Sequence, residues 1–185
     1  MSHNPPNDDI KFETARLAAR TCRLDDAAVL SGLMTADISR WVAAWPFPLS
    51  VTDAAAIVDD SLAAARRGDA VATVIVERSQ GNVIGWLKLT LDDRDRREHE
   101  LGYWIGEAHQ RQGYAFEISE AAIAFAFAQL GARSVTGGAQ IDNHASHALL
   151  AKLGMQRSDD RMVFAPARQR EELCRFWRIT RRPIG

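Results

Sequence analysis

Residues 100–115 read Glu-Leu-Gly-Tyr-Trp-Ile-Gly-Glu-Ala-His-Gln-Arg-Gln-Gly-Tyr-Ala, and this stretch joins a predicted strand to a predicted helix. The first part favours a strand because Tyr103, Trp104 and Ile105 are bulky β-forming residues. The strand pattern breaks at Gly106. Residues 116–130 favour a helix, since they are rich in Ala and contain neither Gly nor Pro. The sequence therefore predicts a strand, a glycine-containing loop and a helix in immediate succession.

The loop between strand and helix spans residues 110–115, Gln-Arg-Gln-Gly-Tyr-Ala, which fits the pattern Gln/Arg-x-x-Gly-x-Gly/Ala. Gly113 has no Cβ, so the backbone can turn there and approach a ligand closely. Amides at a helix start lack intrahelical partners, and the helix dipole adds about half a positive charge at that end. Arg111 adds a permanent positive charge. These features favour a phosphate or pyrophosphate site, although an ordinary strand-to-helix turn shows the same pattern.

Composition limits the remaining functional classes. The chain has 185 residues, 46% hydrophobic and 25% charged, with a net charge of −1 and a pI near 6.5. This charge balance gives no footprint for nucleic acid, and no apolar run approaches the roughly 20 residues of a membrane span. The N-terminus is polar and is not a signal peptide, so a cytoplasmic location is expected. We expect Cys22 and Cys174 to be free thiols, with one bridge between them left open.

The order of predicted elements favours a mixed α/β fold. Strands lead, helices intervene and hairpins cluster in the middle, which is typical of a three-layer α/β/α sandwich with a mostly antiparallel central sheet. Residues 1–9 are expected to form a flexible tail and residues 10–185 a single domain. Strands are predicted at residues 14–20, 70–77, 83–91, 133–140, 162–164 and 173–180, and helices after Asp26, at 53–67 with Thr52 as cap, at 116–130 and at 145–153.

Three blocks carry a resemblance to a known family. Residues 100–115 are similar to the acetyl-coenzyme A (acetyl-CoA) loop of the GNAT acetyltransferase superfamily. The branch they resemble contains the ribosomal-protein N-terminal (alanine) acetyltransferases, in which Glu-Leu-Gly-Tyr-Trp-Ile typically precedes the loop. The other blocks are Thr14-Ala15-Arg16-Leu17-x-x-Arg20 with Asp25-Asp26-Ala27, and Asn143-His144-Ala145-Ser146 with Leu150-Ala151-Lys152-Leu153-Gly154-Met155, where Met replaces the usual Phe.

The resemblance implies acetyl transfer from acetyl-CoA to an amine by direct attack in a ternary complex. The pyrophosphate is expected at the loop amides, and pantetheine at the backbone of Trp104 and Ile105, where it would lie like an added strand. Lys152 is expected at the adenosine 3′-phosphate or the CoA rim, or else is a solvated helix lysine. The implied acetyl-CoA site comprises Trp104, Ile105, Gln110, Arg111, Gln112, Gly113, Tyr114, Ala115, Asn143, Ser146 and Lys152.

Asn143 and Ser146 have two interpretations. The resemblance implies that Asn143 contacts pantetheine and that Ser146 protonates the leaving thiolate. Both residue types also suit a helix N-terminus, where Asn is a good cap, and the two roles can coexist. Tyr114 is a competing proton donor, but it lies by the phosphates and ranks lower.

Glu100 is the predicted general base, with Glu98 and His99 behind it. Strand alternation places Glu100 on one face of the sheet, with Gly102 and Trp104, and His99 on the other. A solvated carboxylate at the strand end, with water as the proton relay, is the alternative. The base need not be strong, because holding amine and thioester together supplies several of the roughly 7–11 kcal/mol available from proximity.

The acceptor site is expected in residues 38–49 and in the closing hairpin. Trp41, Trp45 and Phe47 are predicted to line a groove for a peptide N-terminus or an apolar amine, with core packing or a dimer contact as alternatives. His144 and His147 lie three residues apart without a third ligand, so we expect exposed helix histidines and no metal.

Three functions are compatible with these residues. The first is acetylation of a protein N-terminal α-amino group, as the resemblance suggests. The second is acetylation of a small-molecule amine such as a polyamine, an aminoglycoside or an amino acid. The third is a non-catalytic acyl-CoA-binding protein, which the intact loop with Asn143 and Ser146 disfavours. The protein is expected to be a monomer or a homodimer, without nucleic-acid or membrane partners.

Overall fold

An eight-stranded sheet runs through residues 10–181, the part of the chain that this computed structural model describes. The predicted tail, residues 1–9, lies outside the described residues. The strand order is β1-β2-β3-β4-β5-β6-β8-β7, and every neighbouring pair is antiparallel except β5 with β6. The strands are β1 Ile10–Glu13, β2 Leu17–Thr21, β3 Ala70–Glu77, β4 Asn82–Leu91, β5 Glu98–Ile105, β6 Ser134–Gln140, β7 Gln156–Ala165 and β8 Arg170–Thr180.

The N-terminal strand differs from its prediction. Residues 14–20 were expected to be one strand, whereas the structure has β1 and β2 separated by a turn at residues 14–16. The Thr14 side chain explains this break, because its hydroxyl accepts a hydrogen bond from the Leu17 amide at 2.9 Å. The Thr14 amide also donates to the Leu17 carbonyl at 2.8 Å. Thr14 was predicted to lie in a strand, but its side chain closes a turn instead.

Five helices cover the two faces of the sheet in the described residues. One predicted helix cap is wrong: Ser50, and not Thr52, is the N-cap of the helix at Val51–Arg66. The Ser50 hydroxyl accepts a hydrogen bond from the Asp53 amide at 3.0 Å. A serine has the same capping chemistry as threonine, so sequence alone placed the start two residues late. The helices are α1 Ala27–Leu33, α2 Ala36–Ser39, α3 Val51–Arg66, α4 Tyr114–Ala128 and α5 His144–Lys152.

Two hydrophobic clusters confirm the three-layer architecture. On one face, α4 and α5 pack against the central strands, with Ile118 and Leu150 fully or almost fully buried against Leu87 and Leu101. On the other face, α1 and α3 cover Trp86 and the neighbouring strand residues. At about 25 cal/mol per Å² of apolar surface removed from water, burial on both faces is the main stabilising contribution. No helix among residues 10–181 is both long and apolar enough to cross a membrane.

The sheet opens between β5 and β6. These two strands pair only from Glu98 with Ser134 to Glu100 with Thr136, and no pairing continues beyond that point. Leu150 of α5 lies against β6 just past the opening, since a Cβ placed on Gly137 would be 2.8 Å from its side chain. A glycine in a strand is typical of such a close approach by another segment. The second half of β5 therefore has an open edge.

Candidate active site

The open edge of β5 presents backbone groups of alternate residues. The Trp104 carbonyl points toward β4, because a Cβ placed on Gly85 would overlap its oxygen. Peptide groups alternate along a strand, so those of Tyr103 and Ile105 face the opening. The Ile105 carbonyl accepts a hydrogen bond from Gln110 Nε2 at 2.9 Å, so the Ile105 amide is the group of this residue that remains directed at the opening. This corrects one residue of the expected pantetheine edge: Tyr103 takes the place of Trp104.

The loop after β5 has the geometry of an anion cradle. Gly113 is the residue before α4 and has a left-handed backbone with φ 81°, without a side-chain cap on the helix. Arg111 is also left-handed, with φ 60°. Successive turns of this kind orient several amides to one side, and the first amides of α4 lack partners inside the helix. The loop geometry therefore fits a pyrophosphate at the amides of residues 111–115.

Tyr114 is directed away from the opening. Its hydroxyl donates to Glu77 Oε1 at 2.8 Å, and its side chain is buried. This hydrogen bond to a carboxylate raises the pKa of Tyr114, and burial adds to the effect. Tyr114 thus packs the base of the loop and is not placed to protonate a leaving group.

Asn143 caps α5, and Ser146 reaches the opening. The Ser146 amide donates to Asn143 Oδ1 at 3.1 Å, so the capping interpretation of Asn143 is correct. The Ser146 hydroxyl lies 3.4 Å from the Tyr103 hydroxyl, across the gap between β5 and α5. The cap fixes the helix turn that carries the Ser146 side chain, so capping by Asn143 is compatible with a site role for Ser146.

Tyr103 is the site residue that sequence reasoning missed. It was interpreted as strand-forming bulk, although alternation had placed it on the face opposite Glu100. Burial raises the pKa of the Tyr103 phenol, and the hydrogen bond with Ser146 opposes this rise. The phenol therefore stays protonated at neutral pH and can supply a proton to Ser146.

Glu100 lies on the opposite face from Tyr103, at the point where the strands part. Its side chain is exposed to water. Partial desolvation by the surrounding protein raises the pKa of this carboxyl; Arg161 opposes the rise and Asp92 adds to it. Within residues 10–181 its carboxylate has no hydrogen-bond or ion-pair partner.

The two competing bases are less accessible to water than Glu100. Glu98 accepts from Arg178 at 2.6 Å and from Arg133 at 3.1 Å. Partial burial works to raise the pKa of Glu98, but these arginines hold it below its usual value. His99 is 1% exposed, and burial lowers its pKa. Of the three candidates, Glu100 is the one that an incoming amine can reach.

The expected acceptor residues occupy different environments. Trp45 is 5% exposed and packs edge-on against Trp86 and Trp104, with ring centroids 5.2 Å apart in each case. Trp45 therefore lies in the core and not in the predicted groove wall. Trp41 is half-buried beneath the Arg40 guanidinium, and Phe47 is 54% exposed. Trp41 and Phe47 are the two of the set still available to a ligand.

The two expected acceptor walls are joined to each other. Arg168, in the turn between β7 and β8, donates to the carbonyls of Ser39 at 2.6 Å and Val42 at 3.0 Å. The same guanidinium forms an ion pair with Glu172 at 2.6 Å, and this hydrogen-bonded pair lowers the pKa of Glu172 to about 2. Hydrogen bonds therefore join the hairpin to the 38–49 segment.

Lys152 and the histidines complete the set of predicted residues. Lys152 is exposed, and its Nζ lies 4.4 Å from the Phe116 ring in the first turn of α4. Lys152 thus lies beside the anion cradle, which is compatible both with a phosphate contact and with a solvated helix lysine. His147 is half-buried, accepts from Trp177 Nε1 at 3.2 Å and contacts the Gln140 carbonyl, so the expectation of an exposed histidine fails for this residue. Within residues 10–181 no group of His, Cys, Asp and Glu has a metal-binding arrangement.

Comparisons with known proteins agree with this geometry. A family model described as acetyltransferase (GNAT) domain matches residues 16–156. The uncharacterized N-acetyltransferase YoaA of Bacillus subtilis (strain 168) is 26% identical over 147 residues, which are 79% of this chain and 82% of that protein.

Two solved structures share the fold. One is RimJ of Mycobacterium smegmatis in complex with CoA-disulfide, with a TM-score of 0.76 and 21% identity, covering 89% of this chain and 81% of that one. The other is an acetyl transferase of Salmonella typhimurium that modifies the N-terminal serine of a 50S ribosomal subunit protein. It has a TM-score of 0.81 and 16% identity, covering 94% of this chain and 99% of that one.

Proposed function

Because the chain belongs to the GNAT acetyltransferase family, and is thus an acetyl-CoA-dependent N-acetyltransferase, we propose that its acceptor is the N-terminal α-amino group of a protein. The observation that carries the proposal is the opening between β5 and β6, with Glu100 on one face and the Tyr103–Ser146 pair on the other. A thioester placed in the opening would have a base on the side of the amine and hydroxyl donors on the side of the thiol. The expected cytoplasmic location belongs to the same proposal.

The residues around the opening fit acetyl-CoA. The amides of residues 111–115 would hold the pyrophosphate, and the open edge at Tyr103 and Ile105 would pair with pantetheine as an added strand. A β5 amide facing the opening would also donate to the thioester oxygen as negative charge develops on it. Asn143 caps α5, and Lys152, whose Nζ lies over the Phe116 ring, would meet the remaining phosphate.

The proposed chemistry needs only water and side chains already on the sheet and on α5. The acceptor ammonium first loses one proton to water. The nitrogen lone pair then forms a bond to the acetyl carbonyl carbon, the carbonyl π pair moves to oxygen, and Glu100 accepts the second proton from the nitrogen. As the carbonyl re-forms, the carbon–sulfur bond breaks with its electron pair on sulfur, and Ser146 donates a proton to that sulfur. Tyr103 reprotonates Ser146, and water carries a proton from Glu100 back to Tyr103. Because a thiol has a pKa near 8.5, the donation by Ser146 contributes less than the base and the positioning.

Two observations support a protein N-terminus as the acceptor. The Salmonella structure, similar over nearly its whole length, belongs to an enzyme that modifies an N-terminal serine. In this chain, Trp41 and Phe47 keep exposed surface in the segment that Arg168 joins to the closing hairpin, and there they would contact the first side chains of a peptide. The unpaired carboxylate of Glu100 attracts a protonated α-amino group.

The test is acetyl-CoA-dependent thiol release with two sets of acceptors. One set is short peptides with free Ser or Ala N-termini, and the other is a panel of polyamines, aminoglycosides and amino acids. We expect turnover with the peptides and none with N-terminally blocked copies of the same peptides. Turnover confined to the small amines would overturn the acceptor assignment while keeping the acetyltransferase chemistry.

Tyr103→Phe is expected to lower kcat by roughly threefold to fivefold with the Kd for acetyl-CoA unchanged, because it removes one hydrogen bond and one proton source. Ser146→Ala is expected to have a similar effect. Since the two hydroxyls act in sequence, the double variant should be little worse than either single one. The measurement is steady-state kinetics at saturating acetyl-CoA, with calorimetry for the Kd. Multiplying effects in the double variant would contradict a shared relay.

A further inference from the structure

A carboxylate lies in the first turn of the helix that would receive the pyrophosphate. Glu117 is in the first turn of α4, and its side chain is only 19% exposed. A negative charge near a helix N-terminus stabilises the helix, but it also repels a phosphate bound at the same end. An anion site built at this helix therefore requires Glu117 to be neutralised locally.

Arg16 supplies that neutralisation through several contacts. Its Nε donates to Glu117 Oε2 at 2.7 Å, its Nη2 lies 2.6 Å from the same oxygen, and its backbone amide donates to Oε1 at 3.0 Å. The Thr14 hydroxyl also donates to Oε1, at 2.5 Å. Burial works to raise the pKa of Glu117, but these contacts hold it below its usual value. Glu117 is therefore ionised at neutral pH, and its charge is matched by that of Arg16.

The same guanidinium also holds the loop. Arg16 Nη1 donates to the Gln112 carbonyl at 3.0 Å. Its Cζ lies 4.6 Å from the centre of the Tyr114 ring. A Cβ placed on Gly113 would be 3.5 Å from Arg16 Nη2. One side chain from the turn before β2 thus contacts Gln112 and Tyr114, on either side of Gly113, and Glu117 in the first turn of α4.

We propose that Arg16 is a positioning residue for the pyrophosphate loop. By fixing the Gln112 carbonyl on the side away from the ligand, it keeps the following amides directed at the phosphates. By neutralising Glu117, it removes a repulsion that the phosphates would otherwise meet. This role rests on the proposed acetyl-CoA site, and it assigns a binding function to a residue about 95 positions from the loop in sequence.

The test compares Arg16→Gln with the double variant Arg16→Gln, Glu117→Gln. Arg16→Gln is expected to weaken acetyl-CoA binding by roughly tenfold, with kcat at saturating acetyl-CoA within about twofold of wild type. In the double variant the repelling charge is gone, so affinity is expected to return to within about threefold of wild type. A purely structural role predicts no recovery, because Glu117→Gln weakens the charge-assisted hydrogen bonds from the Thr14 hydroxyl and the Arg16 amide and adds no contact to the loop.

Arg78→Gln is the matched control. Arg78 is exposed to a similar degree, 46% against 48%, and its side chain donates to the Thr14 carbonyl at 2.7 Å and pairs with Glu13. Among residues 10–181, no hydrogen bond or ion pair joins the Arg78 side chain to the loop. We expect its acetyl-CoA Kd, measured by calorimetry, to equal that of wild type. Unchanged affinity in a folded Arg16→Gln protein, or a double variant that binds no better than Arg16→Gln, would overturn the proposal.

Gly113→Val separates failure of this inference from failure of the proposed site. Gly113 has φ 81°, a conformation that a β-branched residue adopts only with strain, so this change disturbs the loop directly. If acetyl-CoA binds at the loop, Gly113→Val weakens binding at least tenfold whatever Arg16 does. Unchanged acetyl-CoA affinity in Gly113→Val would place acetyl-CoA elsewhere. Weakened affinity in Gly113→Val together with wild-type affinity in Arg16→Gln would reject only the role of Arg16.

Discussion

Glu100→Gln is expected to lower kcat at least tenfold while the Kd for acetyl-CoA stays within about twofold of wild type. The amide keeps the size of the carboxyl group but cannot accept a proton from the attacking amine. The carboxylate has no hydrogen-bond or ion-pair partner in residues 10–181, so the change breaks no such contact there. Acetyl-CoA is expected on the open edge of β5 and at the loop, away from this side chain. Steady-state kinetics with the best peptide acceptor and calorimetry with acetyl-CoA measure the two quantities separately.

The pH dependence of kcat is an independent test of Glu100 as the general base. Burial raises the pKa of Glu100, and the base works only when it is ionised. In wild type, kcat is therefore expected to fall as pH drops through this raised pKa, and Glu100→Gln should lack that acidic limb. For stability the sign is reversed: a raised carboxyl pKa favours the folded state at low pH, and this contribution is lost as pH rises through the folded-state pKa.

Glu98→Gln is the control for this prediction. Glu98 lies two residues away on the same strand, but its carboxylate is held by Arg133 and Arg178. Its loss is expected to lower thermal stability slightly with little effect on kcat, because Glu98 is partly buried but both of its arginines are open to water, and ion pairs reached by water contribute about 0–1 kcal/mol. If Glu100→Gln kept the wild-type kcat and acidic limb, a water relay would replace Glu100 as the proton acceptor.

The residues near each other in sequence were predicted most accurately. The order of strand, loop and helix at residues 98–128 is confirmed, because bulky β-formers, a glycine and an alanine-rich run each act locally. Asn143 was also correctly interpreted as a cap, since a cap depends on the next three residues. The error at Ser50 shows the limit of the same rule, because two neighbouring residues had equivalent capping chemistry.

The parts that could not be predicted depend on distant residues. Tyr103 meets Ser146 only because the sheet opens between β5 and β6, and no local pattern reports where a sheet opens. Arg16 and Glu117 are about 100 residues apart, so their ion pair follows from the packing of β2 against α4. Trp45 was placed in a groove on its size and neighbours, whereas Trp86 and Trp104 bury it. Position in the fold, and not residue type, decided each of these cases.

Gly85→Ala is expected to destabilise the protein by about 2–4 kcal/mol, the largest effect on stability that we predict. Gly85 lies in β4 opposite Ile105, and a Cβ there would overlap the Trp104 carbonyl oxygen and lie 3.1 Å from Ile105 Cα. Both atoms belong to the backbone, so relief requires a shift of β5 itself. For a chain of this length, that loss corresponds to a fall in Tm of roughly 5–12 °C, which a thermal melt followed by circular dichroism measures.

Gly102→Ala is the matched control, because Gly102 lies in β5 and a Cβ placed on it would have no neighbouring atom within 4 Å among residues 10–181. We expect its stability to lie within about 0.5 kcal/mol of wild type. The contrast tests whether close contact between β4 and β5 fixes the strand that carries Glu100 and the open edge. If Gly85→Ala folds at low temperature, a displaced β5 should lower kcat and acetyl-CoA affinity together, unlike Glu100→Gln, which is expected to lower kcat alone. Equal melting temperatures for the two alanine variants would show that β5 moves without cost and would contradict a rigidly held site.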